Sequence, residues 1–470
     1  MPNIPIVHAD AVASSNLIRA DPFYTGHIYT MANSSPHIAV SDVVPKDTPG
    51  GSAIKNKYLE RTPLSRQAYL DSTLYMPGGV ARQAGFWAPY PISLVRAKGS
   101  HTWDLDGNSY IDTFNNFASL VHGHAYEPIV SAAHAKLSLG SAWAANNIDQ
   151  TALARLISER IPSAAKVRFT NSGSEAVALA LLVARAFTGR RRLLMARYGY
   201  HGWNPATVIG SFGSAGEETL VAPFNDADAF EAILAAKGNE IAAVILEPVL
   251  GSAGIIEAQS EFLNRVKSAA AKAGALLIFD EVITLRLSLS GAQGLFGVEP
   301  DLTVLGKIIG GGFSVGALAG RADIMAALDP DTLKVWHSGT FNGNPVTMAA
   351  GLASMRELTQ SRIDTMERQA RALQLGLQRK AAQAGLPFTV SRSGSLLNLF
   401  FAAEIPEAVV VRPDQRLMGL YHLAAMNHGI SIAARGMMAL STVMTDALID
   451  EIIERSGESM QDVAVELSDA

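Results

Sequence analysis

From about residue 125 the chain alternates short apolar runs with longer stretches in which apolar side chains recur every three or four positions. "AKVRFTNSG", "RRLLMARYGYHG", "IAAVILEPVLG", "ALLIFDEV" and "DLTVLGK" read as strands, each ending in a polar loop. Between them "SEAVALALLVARAFTG", closed by Gly189, and "QSEFLNRVKSAAAKAG" have helical spacing, as do the earlier "PIVSAAHAKLSLG" and "DQTALARLISERI". Strands that are apolar throughout, alternating with helices, predict a mostly parallel sheet covered on both faces. Before this region, "YPISLVRAKGSHTWDLDGNSYIDTF" predicts a hairpin or meander turning at Asp106-Gly107. After it come a long charged helix over about 361–384, mixed segments through Ser441, and a last helix from Thr445.

These patterns divide the chain into an N-terminal arm or tail over 1–60, the first part of a small domain over 61–120, a large domain over 121–355 and the C-terminal part of the small α+β domain over 356–470. A length of 470 residues agrees with more than one core. Apolar residues make up 48% and charged residues 17%, with a net charge of −5, which offers no basic surface to nucleic acid or to an anionic membrane. The absence of cysteine excludes disulfides and thiolate metal sites. It is compatible with the cytoplasm. The start lacks a basic leader followed by an apolar stretch, and no charge-free apolar run reaches membrane-spanning length.

Candidate chemistry sits at the strand ends. Lys307 is the only charged side chain between Asp301 and Arg321, and three glycines, Gly310 to Gly312, follow it. Burial disfavours an ammonium, and a neutral lysine amine attacks carbonyls. A lysine whose stem lies on apolar surface while its head reaches water explains the same pattern. "ALLIFDEV" delivers Asp280 to a strand end, where open α/β sheets bind ligands. In "FTNSGSEA", Ser172, Gly173 and Ser174 open a helix whose free N–H groups suit an anion; an ordinary N-cap with a capping glutamate would look similar. "RYGYHGW" crowds Tyr198, Tyr200, His201 and Trp203 into one loop, able to stack on a flat ligand or simply to pack on itself. An anion cradle, a strand-end aspartate, a stacking aromatic and a buried lysine on one sheet together suit pyridoxal 5'-phosphate.

The motifs "NSGSEA", "YGYHGW", "ILEPV", "LLIFDEV", "DLTVLGKIIGGG" and "HSGTFNGNP" resemble those of the class III (subgroup II) pyridoxal-phosphate-dependent aminotransferases over roughly residues 70–450. The resemblance implies the α/β architecture of fold-type-I enzymes, a large domain beside a smaller α+β one. By position it makes Lys307 the Schiff-base lysine and Asp280 the partner of the pyridinium nitrogen. Val282 and Tyr200 take the two ring faces, Ser172, Gly173 and Ser174 take the phosphate, and Glu247 lies near the ring. Thr340 reaches the phosphate of a neighbouring subunit, which implies a homodimer. Leu250 departs from the pattern, because many relatives have a polar residue there.

The stretch "YMPGGVARQAGFWAPYPISLVRAKGSHTWDLDG" is similar to the glutamate-1-semialdehyde aminomutase branch, which includes β-amino-acid (β-phenylalanine) and D-phenylglycine aminotransferases. There Arg82 and Arg435 resemble the arginines that bind substrate carboxylates, a task suited to a guanidinium fork. Phe86, Trp87 and Tyr90 either line an apolar pocket beside Arg82 or pack as a strand. The implied activity moves an amino group from an aromatic or apolar β-amino acid to a keto acid acceptor. An aminomutase or racemase on the same scaffold, or a non-catalytic binding protein, are the alternatives. The eleven histidines show no HExxH-like metal spacing.

Overall fold

A computed structural model describes residues 52–211, 216–407 and 415–468. Its largest sheet has seven strands in the order Lys166–Thr170, Gly316–Gly320, Leu302–Gly306, Leu276–Asp280, Ile241–Leu246, Arg192–Ala196 and Thr219–Ala222. The last five pair in parallel, whereas Gly316–Gly320 runs antiparallel to both of its neighbours. The mostly parallel sheet is therefore present, with one strand, "GALAG", that the hydrophobic pattern does not announce. Glycine and alanine have little strand propensity. They are needed here because a Cβ on Gly316 would lie 2.0 Å from the Ser172 carbonyl oxygen.

Both faces are covered, so the strands need no polar alternation. Ile278, Val304, Met195 and Ile245 pack on the helix Gly173–Thr188 through Val177, Ala180 and Ala184. The alternate residues Leu277, Phe279, Val244 and Leu246 face Phe230, Phe262 and Val266 of the helices Ala227–Lys237 and Ser260–Ala273. Each such Leu, Ile or Phe contributes about 1.5–3 kcal/mol by burial. The same alternation puts Asp280 on the side of Ile278 and turns Glu281 to the opposite side.

The predicted hairpin appears as His101–Asp104 against Ser109–Asp112, flanked by Leu94–Lys98. Ile430–Ser431 adds to it in parallel, so segments from the two ends of the chain share one sheet. They also share a core, in which Tyr58, Tyr90 and Tyr110 meet Leu373, Tyr421, Ile452 and Val463. The long charged helix spans Gln360–Gln383 and the last one Asp446–Ser468. Residues 53–61 form a helix, where the sequence pattern suggested an irregular arm as far as residue 60. The rest of that arm, residues 1–51, lies outside the described residues.

One buried cation ties these parts together. Arg286 is fully buried; its Nε donates to Ser395 Oγ at 3.1 Å, its Nη1 to the Ala118 carbonyl at 3.4 Å and its Nη2 to the Leu440 carbonyl. Burial pushes its pKa down to about 9. Alanine at this position leaves those acceptors unpaired beside a cavity. We expect the unfolding free energy to fall by about 3 kcal/mol or more in denaturant titrations. A loss below about 0.5 kcal/mol would contradict that role.

Candidate active site

The ends of five strands that point the same way bring the predicted residues to one edge of the sheet. Ser172 follows Lys166–Thr170, Tyr200 follows Arg192–Ala196, and Glu247 follows Ile241–Leu246. Asp280 ends its own strand, and Lys307 follows Leu302–Gly306 directly. Lys307 has φ +49°, a left-handed backbone that a non-glycine residue adopts at a cost and that is frequent at functional sites.

The loop Tyr198–Trp203 stitches this edge together. The Tyr200 N–H donates to Glu247 Oε1 at 2.8 Å, and His201 Nδ1 is 2.9 Å from Asp280 Oδ2. The Trp203 N–H donates to Ser174 Oγ at 3.0 Å. Gly202 has φ +74°, and a Cβ there would lie 2.2 Å from Ser174 Oγ, so the loop can approach the helix only with glycine. His201 is fully buried, and its Nε2 has no partner among the described residues. The sequence placed His201 in the loop without assigning it to Asp280; its burial behind the carboxylate becomes visible only in the fold.

Ser172 and Glu175 form the N-cap that was the alternative to an anion cradle. Ser172 Oγ accepts from the Glu175 N–H at 3.1 Å, and Glu175 accepts from the Asn171 N–H at 2.8 Å. The cap leaves the N–H groups of Gly173 and Ser174 in the first turn, where the helix supplies no acceptor. Cap and cradle thus coexist. Val282 lies between this turn and the lysine: a Cβ on Gly173 would come within 2.9 Å of its side chain, and one on Gly306 within 3.3 Å.

Asp280 also accepts from the Val282 N–H at 3.1 Å. Glu281, on the other side, is buried and accepts from Thr284 Oγ1 at 3.1 Å and the Gln293 N–H at 3.1 Å, a structural task. Dense surroundings lower the Lys307 pKa, opposed by the Asp280 and Glu247 carboxylates. Lys307 nevertheless keeps accessible surface, as a group lining a cleft does. Glu247, buried and accepting from the Tyr200 and Gly251 N–H groups, is pushed up to about 7, first by burial and then by Asp280.

A carboxyl raised in the folded state favours folding while it is protonated. In cofactor-free protein that contribution is complete below the usual 4.5 and disappears as pH rises through about 7. Glu247→Gln should therefore flatten the stability profile between pH 5 and 8 by about 2 kcal/mol relative to the native chain. Parallel profiles in urea titrations would refute this.

Arg435 exposes surface, yet dense surroundings lower its pKa, and the nearby Tyr200 hydroxyl opposes that shift. Tyr200 itself is 47% exposed. Arg82 is exposed and donates from Nη2 to Asn116 Oδ1 at 2.7 Å. Thr340 is exposed too, on the loop from which Asn342 accepts an Asn171 Nδ2 hydrogen bond at 2.8 Å. Leu250 is fully buried against Ala253, with Tyr198 and Phe224 beside it, so the departure from the family pattern fills a small core. Trp87 and Tyr90 pack with Tyr58 and His422 inside the shared core, and Phe86 packs on Tyr69. They do so from a loop and not from a strand.

The model of the family described as "Aminotransferase class-III" matches residues 86–463. A beta-phenylalanine transaminase of Variovorax paradoxus is 38% identical over 414 residues, covering 85% of this chain and 93% of that relative. A glutamate-1-semialdehyde 2,1-aminomutase of Rhodopirellula baltica is 39% identical over 415 residues, covering 83% and 94%. A transaminase solved with PLP bound superposes with a TM-score of 0.82 at 32% identity, covering 86% of this chain and 99% of that one.

Proposed function

Because this chain belongs to the class III aminotransferases, enzymes that use pyridoxal phosphate, we propose that it transfers an amino group from an aromatic or apolar β-amino acid to a keto acid. The observation that carries the reading is the pair of arginines, Arg435 beside Tyr200 and an exposed Arg82 that donates to Asn116, in a chain that also brings Lys307, Asp280 and Tyr200 to one sheet edge. The relative that acts on β-phenylalanine agrees with it.

The residues fit the cofactor. Its phosphate suits the free N–H groups of Gly173 and Ser174, its ring the space between Val282 and Tyr200, and its pyridine nitrogen the Asp280 carboxylate. When bound, pyridoxal phosphate supplies an aldehyde that condenses with amines and a ring that draws electrons. Asp280, held by His201 Nδ1 and the Val282 N–H, keeps a proton on the ring nitrogen. Lys307 Nζ, whose pKa is lowered by burial, takes the proton from the carbon that bears the donor's amino group. Glu247 fixes the Tyr200 loop through its backbone hydrogen bond. Arg82 and Arg435 orient donor and acceptor carboxylates.

Trp203, Trp336 and Phe341 are 81%, 79% and 59% exposed on the loops that carry Tyr200 and Thr340. Apolar surface of this kind supports a homodimer in which Thr340 reaches the partner's phosphate site. Sedimentation as a monomer would count against it. No described helix is long and apolar enough to cross a membrane.

The test is conversion of the holoenzyme's absorbance by one amino donor at a time. Conversion by a β-amino acid, reversed by 2-oxoglutarate or pyruvate, supports the reading. Turnover of glutamate 1-semialdehyde without an added keto acid, with no β-amino acid converted, would favour the aminomutase reading that the Rhodopirellula relative keeps open.

A further inference from the structure

Four consecutive non-glycine residues, Asn115, Asn116, Phe117 and Ala118, have φ of +50°, +48°, +58° and +64°. The left-handed region crowds each Cβ against a carbonyl oxygen, so L-residues visit it singly, not in runs. A run persists only where its surroundings over-determine it. Here they do. Asp112 Oδ1 accepts from the Phe114 and Asn115 N–H groups at 3.0 and 2.9 Å. Buried Asn115 donates from Nδ2 to the Ala439 carbonyl at 2.7 Å, and Arg286 donates to the Ala118 carbonyl.

The turn stands beside the catalytic edge. Ala118 shares a small core with Val249, two residues after Glu247, with Ile283, three after Asp280, and with Ala433 and Met437, which flank Arg435. What it presents outward is a seat for Arg82. Asn116 Oδ1 accepts from Arg82 Nη2, and the guanidinium carbon stands 4.9 Å from the centre of the Phe117 ring. Ser119 Oγ accepts from Asn116 Nδ2 at 3.1 Å and so aims the amide oxygen at the arginine. Phe117 is held edge-on by Phe114, with centroids 5.1 Å apart at 86°.

These partners share one property: they are neutral. Among the described residues no carboxylate pairs with Arg82. An amide and a ring face fix a guanidinium without cancelling its charge, and one Asn contact leaves most of its donors for an incoming carboxylate.

We propose that the left-handed turn Asn115–Ala118 is a specificity device, in which Asn116 and Phe117 are positioning residues that orient Arg82 for a substrate carboxylate without pairing it with an acid. This rests on the reading of Arg82 as a carboxylate-binding residue. It adds the group that sets that arginine in place, and it gives the strained backbone a task.

The test compares β-phenylalanine with the amine in which its CH2COO⁻ group is replaced by CH3, on the holoenzyme and on two variants. Asn116→Gly keeps the left-handed backbone at no steric cost and removes only the amide. It should raise KM for β-phenylalanine on the order of tenfold, as loss of one charge-assisted hydrogen bond does, with kcat nearly unchanged. The carboxylate-free amine should change less than about twofold, since it makes no use of the arginine's charge. Asn116→Asp keeps the contact but supplies a carboxylate that competes with the substrate's for the guanidinium, and should raise KM for β-phenylalanine further than glycine does, a result that a merely structural role for Asn116 would not produce. Equal losses with both donors, or no loss in either variant while the native enzyme converts β-phenylalanine, would overturn this inference and leave the proposed function intact. Native enzyme that converts the amine but no carboxylate-bearing donor, or neither compound, would overturn both.

Discussion

Replacing Lys307 with alanine should abolish transamination, with kcat reduced by about 10³-fold or more, because the variant loses both the covalent anchor for the cofactor and the base. The physical basis is the environment of the amine. Dense surroundings lower its pKa, and the Asp280 and Glu247 carboxylates hold it only partly against that shift. A larger fraction of Lys307 is therefore neutral at working pH than of a solvated lysine, and a neutral amine is both nucleophile and proton acceptor. Borohydride treatment of the native holoenzyme should fix the cofactor's mass to the protein, and the same treatment of Lys307→Ala should not. In cofactor-free protein the melting temperature should change little, since Lys307 makes no described side-chain hydrogen bond. A variant that keeps both turnover and the fixed mass would remove Lys307 from the chemistry and, with it, the proposed mechanism.

Asp280→Asn is expected to reduce kcat by about 10²–10³-fold while leaving the fold intact, the scale on which one preorganised electrostatic partner acts in a water-poor site. Asparagine matches the carboxylate in size; its amide oxygen can accept from the Val282 N–H, and its NH2 can donate to His201 Nδ1 in the tautomer that leaves that nitrogen bare, so both contacts that now orient Asp280 keep a partner. What it lacks is the charge that keeps a proton on the ring nitrogen. The loss should therefore appear in kcat, with binding of the donor little altered and thermal stability equal to or above that of the native protein, because a buried charge has been removed. A change below about threefold in kcat would mean that the ring works without this partner, and would conflict with the electrostatic role.

Much of this site is legible in the residue pattern because its parts are local. A strand announces itself by five or six apolar residues, and the residue that ends it is fixed by counting. That is how Asp280, Lys307, Tyr200 and the Ser172–Ser174 turn could be singled out, and the fold places each at a strand end on the same edge. The capped start of the helix Gly173–Thr188 and its end at Gly189, with φ +71°, are equally local: one follows from a serine three residues before a glutamate, the other from a glycine after the last periodic residue.

Other features depend on partners far away in the chain, and no local signal reports them. Gly316–Gly320 is a strand through its pairing with two distant strands, and its glycines are fixed by neighbours that leave no room for a Cβ at Gly316 or Gly320. His201 becomes the partner of Asp280 across 79 positions, and Arg286 meets Ser395 across 109. Trp87 and Tyr90 turn into a core completed by the C-terminal helices. Sequence by itself singled out the candidate residues and the strand ends at which they fall, since alternation and strand length are properties of neighbouring residues. Only the tertiary structure decided what each of them faces: the left-handed turn beneath Arg82, the neutral seat around its charge and the carboxylates around Lys307 all arise from long-range packing, which forces backbones and charges into positions that no segment would adopt alone.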